Sequence, residues 1–188
     1  MSTALVVAHG TDGPDRHVRA MAEAVRRPGW TVVTPDFRPA GVVRPDGQED
    51  LAGRRFAEEL GPVAMARALA AHAAELRAAH ERVVCLGLGV GATAAWLASD
   101  AFDSIVCVHG ARIRDHTGHL PRIPCLAIFA ERRSGFDVRA VAGRITGPTV
   151  AVDVVDAGPG FCDEDGPRHD PEHRAATVAA ARRFLHSD

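Results

Sequence analysis

The chain has no lysine and no tyrosine, and all 22 of its basic residues are arginine. A Schiff base needs an amine that can give up its proton, which a guanidinium does not, so covalent lysine chemistry is excluded together with tyrosine acid chemistry. Long apolar runs are missing too. The hydrophobic stretches are short and broken by charges, far below the ~20 residues of a membrane span, and the first residues lead into a strand rather than a signal peptide. A soluble, cytoplasmic protein with no membrane partner is expected. There is no basic block either, since the net charge of -2 comes from 22 basic and 24 acidic residues spread along the chain. Without such a block nothing tracks phosphates, and nucleic acid is not an expected partner. Cysteine is sparse, with four residues and no C-x-x-C pair. Cys85, Cys107 and Cys125 fall in apolar strand-like runs and read as small buried hydrophobes, whereas Cys162 falls in a polar loop open to solvent.

What is present is ordinary for one globular domain over residues 1–188, with 46% hydrophobic and 24% charged residues. Runs rich in Val and Ile at Ala4–Ala8, Trp30–Thr34, Arg82–Leu88, Ser104–Val108, Pro124–Phe129 and Thr149–Val155 are apolar on both faces, the mark of parallel strands covered on both sides. Helical patterns lie between them at Arg16–Arg26, Pro62–His80, Val90–Ser99 and Asp137–Ile145. A last one at Pro171–His186 opens with Asp170 as cap and Pro171 in its first turn. The alternation predicts an α/β fold: a doubly wound, mostly parallel six-stranded sheet with helices on both faces. The segment from Pro35 to Gly61 has no strong period and reads as a long excursion with one short helix around Asp50–Glu59, and loops of that length are often functional.

In open parallel sheets ligands bind beyond the carboxyl ends of the strands. That rule selects His9, Gly10 and Thr11, Asp36 and Phe37, Leu88, Gly89 and Val90, His109 and Gly110, Glu131 to Arg133, and the loop from Ala157 to Asp165. The most telling of these is Gly87-Leu88-Gly89-Val90-Gly91, which follows a strand and opens a helix. In the G-x-S-x-G nucleophile elbow the strand turns sharply so that a central Ser or Cys projects over the sheet edge. Here the flanking glycines are in place and the centre has no side chain. The same residues fit G-x-G-x-x-A, but a dinucleotide fingerprint belongs to the first βα unit and needs an acidic residue ~20 positions on, where this chain has His109. No cofactor is expected. His116 and His119, with Asp115 beside them, read as a polar surface loop, since no helix presents the two imidazoles on one face, and no metal is expected.

Several segments in order resemble the dienelactone hydrolase family of the α/β-hydrolase superfamily. They are Val6-Val7-Ala8-His9-Gly10, Trp30 through Pro35-Asp36, Ile123 through Glu131, Gly158-Pro159-Gly160-Phe161, and the tail from His169-Asp170-Pro171-Glu172 through Phe184-Leu185. The resemblance implies an α/β-hydrolase fold trimmed of the two leading antiparallel strands that many relatives carry. It also implies a Cys nucleophile, an Asp after the late strand and a His in the following loop, acting on lactones or related esters. Carried over, the Cys position is Gly89, the Asp position falls near Arg133 and the His position is Pro159. All three catalytic side chains are replaced, and Gly10 stands where the family has an acidic residue that steers the thiol.

The backbone part of the machinery does not depend on those side chains. The amides of Val90 and of the His9-Gly10-Thr11 turn would still point at a ligand oxygen beside a helix N-terminus. The expected function is binding of a small carbonyl- or carboxylate-bearing compound, with non-hydrolytic chemistry or none, by Gly10, Thr11, Asp36, Gly89, Val90, Arg133, Pro159 and Phe161. Two other readings stand beside it. One is a hydrolase or lyase whose acid/base site has been rebuilt from His9, His109 or Cys162. The other is a structural pseudoenzyme, a homodimer paired through the sheet edge that the missing strands leave open.

Overall fold

The computed structural model describes residues 2–38, 61–132 and 135–187. Six strands, β1 (Thr3–Ala8), β2 (Thr31–Val33), β3 (Arg82–Leu88), β4 (Ser104–Val108), β5 (Cys125–Ala130) and β6 (Val150–Val155), form one sheet in the order β2-β1-β3-β4-β5-β6. All the pairings are parallel. Five helices accompany them among the described residues: α1 (Arg16–Val25), α2 (Gly61–Arg77), α3 (Val90–Leu97), α4 (Val138–Ile145) and α5 (Pro171–His186). Two short 3-10 turns at Ser99–Ala101 and Ala111–His116, not foreseen in the sequence, lead into and out of β4. The short helix expected around Asp50–Glu59 lies outside the described residues.

Alternation along the strands builds two cores. On one face Ala4, Val6, Val83, Cys85, Ile105, Cys107, Ala127 and Phe129 pack under α2, α3 and α4, with Trp96 fully buried among them. On the other, Leu5, Val7, Val84, Leu86, Val106 and Ile128 pack under α1 and α5. Period-2 side chains facing a helical layer on both sides is why the strands read as unbroken apolar runs. Helix starts are fixed by aspartates: Asp15 accepts from Val18 N at 2.8 Å, Asp137 from Ala140 N at 2.9 Å and Asp170 from His173 N at 3.1 Å. Caps of this kind are each worth about 1 kcal/mol.

From β1 the chain passes to β2 on one side and then returns to β3 on the other. The strand order reverses between β1 and β3, so the crevice beyond their carboxyl ends is where an open sheet places its ligand.

Candidate functional site

At that crevice β3 runs into α3 through Gly89, whose backbone has φ 58° and ψ -117°. The positive φ is one that L side chains adopt only under strain. Its flanking glycines are forced by packing: a β-carbon on Gly87 would lie 2.5 Å from Ala92 Cα, and one on Gly91 would run into the Ala8 carbonyl. Gly89 is different. A β-carbon there would meet nothing nearer than Gly10 Cα at 3.8 Å, so the centre of the elbow has room for a side chain and carries none.

A cavity of about 310 Å³ opens above this point. Gly10, Thr11, Gly89, Val90, His109 and Phe161 line it, as does Cys162. Of the candidate catalytic and binding residues, His9, Asp36 and Pro159 do not border it, and Arg133 lies outside the described residues. The cavity also takes in Asp12, Asp15, His17 and Asp163, of which only Asp163 lay in a segment selected beforehand. The others belong to the turn between β1 and α1, where the strand-end rule needed to be carried as far as the cap of the next helix. No arginine is among the described residues lining the cavity.

His9 is fully buried, and its ring is spent on the backbone. Nδ1 donates to Gly10 O at 2.6 Å and Nε2 accepts from Phe37 N at 2.9 Å, tying the first loop to the end of the second strand. Burial holds its pKa below the ordinary 6.5. Asp36, 3.6 Å from that ring, is half-exposed and clamped by Arg38 at 2.6 Å and 2.9 Å, and those hydrogen bonds hold its carboxyl below the usual range. The pair fixes a loop and leaves no free base.

His109 faces the opposite way in hydrogen-bonding terms. It is the one non-glycine residue of positive φ among those described, at 51°. Its amide donates to Ile128 O at 2.6 Å, its carbonyl accepts from Ala111 N at 2.9 Å, and its Nδ1 accepts from Ala130 N at 3.2 Å. Burial pushes its pKa down to about 4. A backbone N–H directed at Nδ1 leaves the ring proton on Nε2.

Cys162 departs from expectation. It is buried at 4% exposure, not open to solvent, because the loop folds back on itself: Phe161 N bonds Gly158 O, and Asp170 N bonds Phe161 O. Phe161 and Cys162 thereby join the core beneath α5. Burial pushes the thiol up to about 12, with Arg174 and Thr177 pulling weakly the other way. A thiol so placed is not a thiolate at neutral pH. Two residues before Arg133, Glu131 is held by Arg139 at 2.5 Å and 2.9 Å and lies outside the cavity. Among the described residues no cluster of three His, Cys, Asp or Glu is placed to hold a metal ion, and no helix is long and apolar enough to cross a membrane.

No family model matches the chain. It is 27% identical to the uncharacterized protein YczH of Bacillus subtilis over a match covering 71% of this chain, and it spans just under two thirds, 66%, of that protein. Solved structures align over nearly its whole length. A Klebsiella pneumoniae protein provisionally assigned as a dienelactone hydrolase superposes with TM-score 0.80 at 11% identity, covering 100% of this chain and 88% of that one. A dienelactone hydrolase from Anabaena variabilis gives 0.71 at 15% identity, with 98% and 85% covered. An α/β serine hydrolase without a lid from Xanthomonas campestris gives 0.63 at 21% identity, with 99% and 84% covered. Six parallel strands, an elbow of hydrolase shape and these structural neighbours together give the chain the α/β-hydrolase fold, in the form seen in dienelactone hydrolases.

Proposed function

We propose that the chain holds a small carbonyl compound in an α/β-hydrolase pocket without forming a covalent intermediate. The observation that carries this reading is Gly89, in the backbone conformation of an elbow at the floor of the cavity, with space for a nucleophile and none present. The backbone amide of Val90, first residue of α3, has no acceptor inside its own helix and stands beside the positive end of the helix dipole. A carbonyl oxygen above Gly89 would satisfy it, with an amide of the Gly10–Thr11 turn as the second donor. Three carboxylates, Asp12, Asp15 and Asp163, border the same space, which favours a neutral carbonyl compound over a carboxylate. Lactones and esters of small size are the class that the dienelactone hydrolases among the structural neighbours point to.

Without a nucleophile no acyl group can be held, and loss of such a group removes several orders of magnitude of hydrolytic rate. The test is intact-mass measurement after mixing with 4-nitrophenyl acetate, together with release of 4-nitrophenol. The expected result is no acetyl adduct within the elbow and no burst. An adduct that forms and decays at the rate of turnover would overturn the reading.

One observation favours a second reading, a rebuilt hydrolytic site: His109 and Cys162 border the same cavity as Gly89. Against it stand the state of each group. The Cys162 thiol is held protonated by burial, and the Nδ1 of His109 accepts a backbone N–H, so Nε2 has no lone pair to take a proton. Turnover of 4-nitrophenyl acetate that disappears on replacing Cys162 with Ser would favour this reading over the first.

A further inference from the structure

We propose that His109 completes the oxygen-binding site as a hydrogen-bond donor, presenting Nε2–H to the same ligand oxygen that the Val90 amide binds. This rests on the carbonyl-pocket reading above, and it assigns His109 the opposite role from a general base.

Three pieces of geometry carry it. The Ala130 N–H at the end of β5 points at Nδ1, at 3.2 Å, which fixes the proton on the far side of the ring. That far nitrogen, Nε2, has no hydrogen-bond partner among the described residues and is not among the sealed, unpartnered polar atoms, and the residue that carries it borders the cavity. The backbone then holds the ring where a freely chosen conformation would not. At φ 51° the residue is strained, and the strain is locked by Ile128 O on its amide and Ala111 N on its carbonyl. A strained backbone kept in place by bonds on both sides, with one unsealed polar ring atom on a residue that borders a pocket, is what a preorganised donor requires.

The elbow and this histidine are also mechanically joined. Gly89 N donates to Val108 O at 3.0 Å, so the residues that follow each of them, Val90 and His109, project from one hydrogen-bonded junction into one cavity. His9 makes the contrast clear, because both of its ring nitrogens are consumed by backbone and it does not border the cavity. The titratable groups around the cavity that His109 shares are Asp12, Asp15, His17, Cys162 and Asp163. Burial keeps the ring neutral, so the donor is an imidazole and its proton is not lost in the neutral range.

The experiment is nitrogen-15 NMR of the full chain labelled at histidine, followed by titration with δ-valerolactone. In the wild-type protein the His109 ring should show the Nε2–H tautomer from about pH 5.5 to about pH 8. A Nδ1–H tautomer, or an imidazolium in that range, overturns the assignment without any variant. On adding the lactone, the Nε2–H proton and the Val90 amide should shift together with one affinity. His109→Asn tolerates a positive φ and keeps an acceptor near Ala130 N, but lacks the distal donor; it should fold as the wild type does and bind the lactone about tenfold more weakly. Affinity unchanged in that variant overturns the proposal. If the lactone moves neither signal in the wild type, the carbonyl-pocket reading fails, while the tautomer result separately decides whether His109 is a donor.

Discussion

The hydrogen bond from Gly89 N to Val108 O, 3.0 Å long, ties the turn at the end of β3 to the end of β4. It aligns two residues of positive φ that directly follow strands, Gly89 at 58° and His109 at 51°, over one cavity. One carries no side chain and the other a ring whose proton is set by the backbone. On the proposed reading that junction binds and polarises an oxygen, and Gly89 itself carries no atom with which to attack a carbon.

The glycines flanking the elbow should be far less tolerant than its centre in terms of space. Gly91→Ala drives a β-carbon into the Ala8 carbonyl, and Gly87→Ala drives one onto Ala92 Cα at 2.5 Å. Both contacts are with backbone, so strands must shift, and each change should cost about 1–3 kcal/mol. Urea unfolding midpoints test this; unaltered midpoints would show that the strand and helix do not approach as closely as described.

Stability should fall on acidification before Asp36 or Asp170 titrates. His9 and His109 both have pKa values below the ordinary 6.5, with His109 at about 4. The unfolded chain therefore binds protons that the native chain excludes, so their stabilisation is full above about pH 6.5 and is lost as pH falls, with a slope of about 1.4 kcal/mol per pH unit from His109 and a further loss of the same sign from His9. The carboxyls of Asp36 and Asp170, held below 3.8, add to the loss only at still lower pH. Urea unfolding across this range should show that slope, and His109→Asn should remove one histidine's share. A flat profile between pH 4.5 and 6.5 would contradict the burial of both rings.

Much of this was legible in the sequence, for physical reasons that differ by element. Strands β3 and β4 begin and end where the sequence places them, because a strand buried on both faces is apolar at every position after its first, Arg82 or Ser104. Pro171 and Asp170 mark the start of α5 to the residue. The elbow was legible as a glycine pattern, but its meaning needed the φ of Gly89 and the clearance around it. What separates the two histidines was not legible. His9 and His109 both follow a strand, and the direction of one backbone N–H, Phe37 to Nε2 in one case and Ala130 to Nδ1 in the other, sets which nitrogen of each ring carries the proton. Cys162 was misplaced because the polar residues after it hid the inward turn set by Phe161.

Cys162 should resist thiol reagents in the native state. With 4% exposure and a pKa pushed up to about 12, it offers neither access nor thiolate. Ellman's reagent should register essentially no thiol until denaturant is added, and then all four. Rapid native labelling at Cys162 would show that the loop opens, and would revive it as a nucleophile.

The most direct test of the central claim is the Val90 amide signal during titration with δ-valerolactone, compared in the wild type and in Gly89→Ala. The clearance at Gly89 admits the β-carbon, and the strain of a positive φ should cost about 1–3 kcal/mol while leaving the fold intact. If a ligand carbonyl occupies the place where a nucleophile would stand, the wild-type amide should shift with saturation, and the alanine variant, with that place filled, should not. Equal shifts in the two proteins, or none in the wild type, would contradict the account.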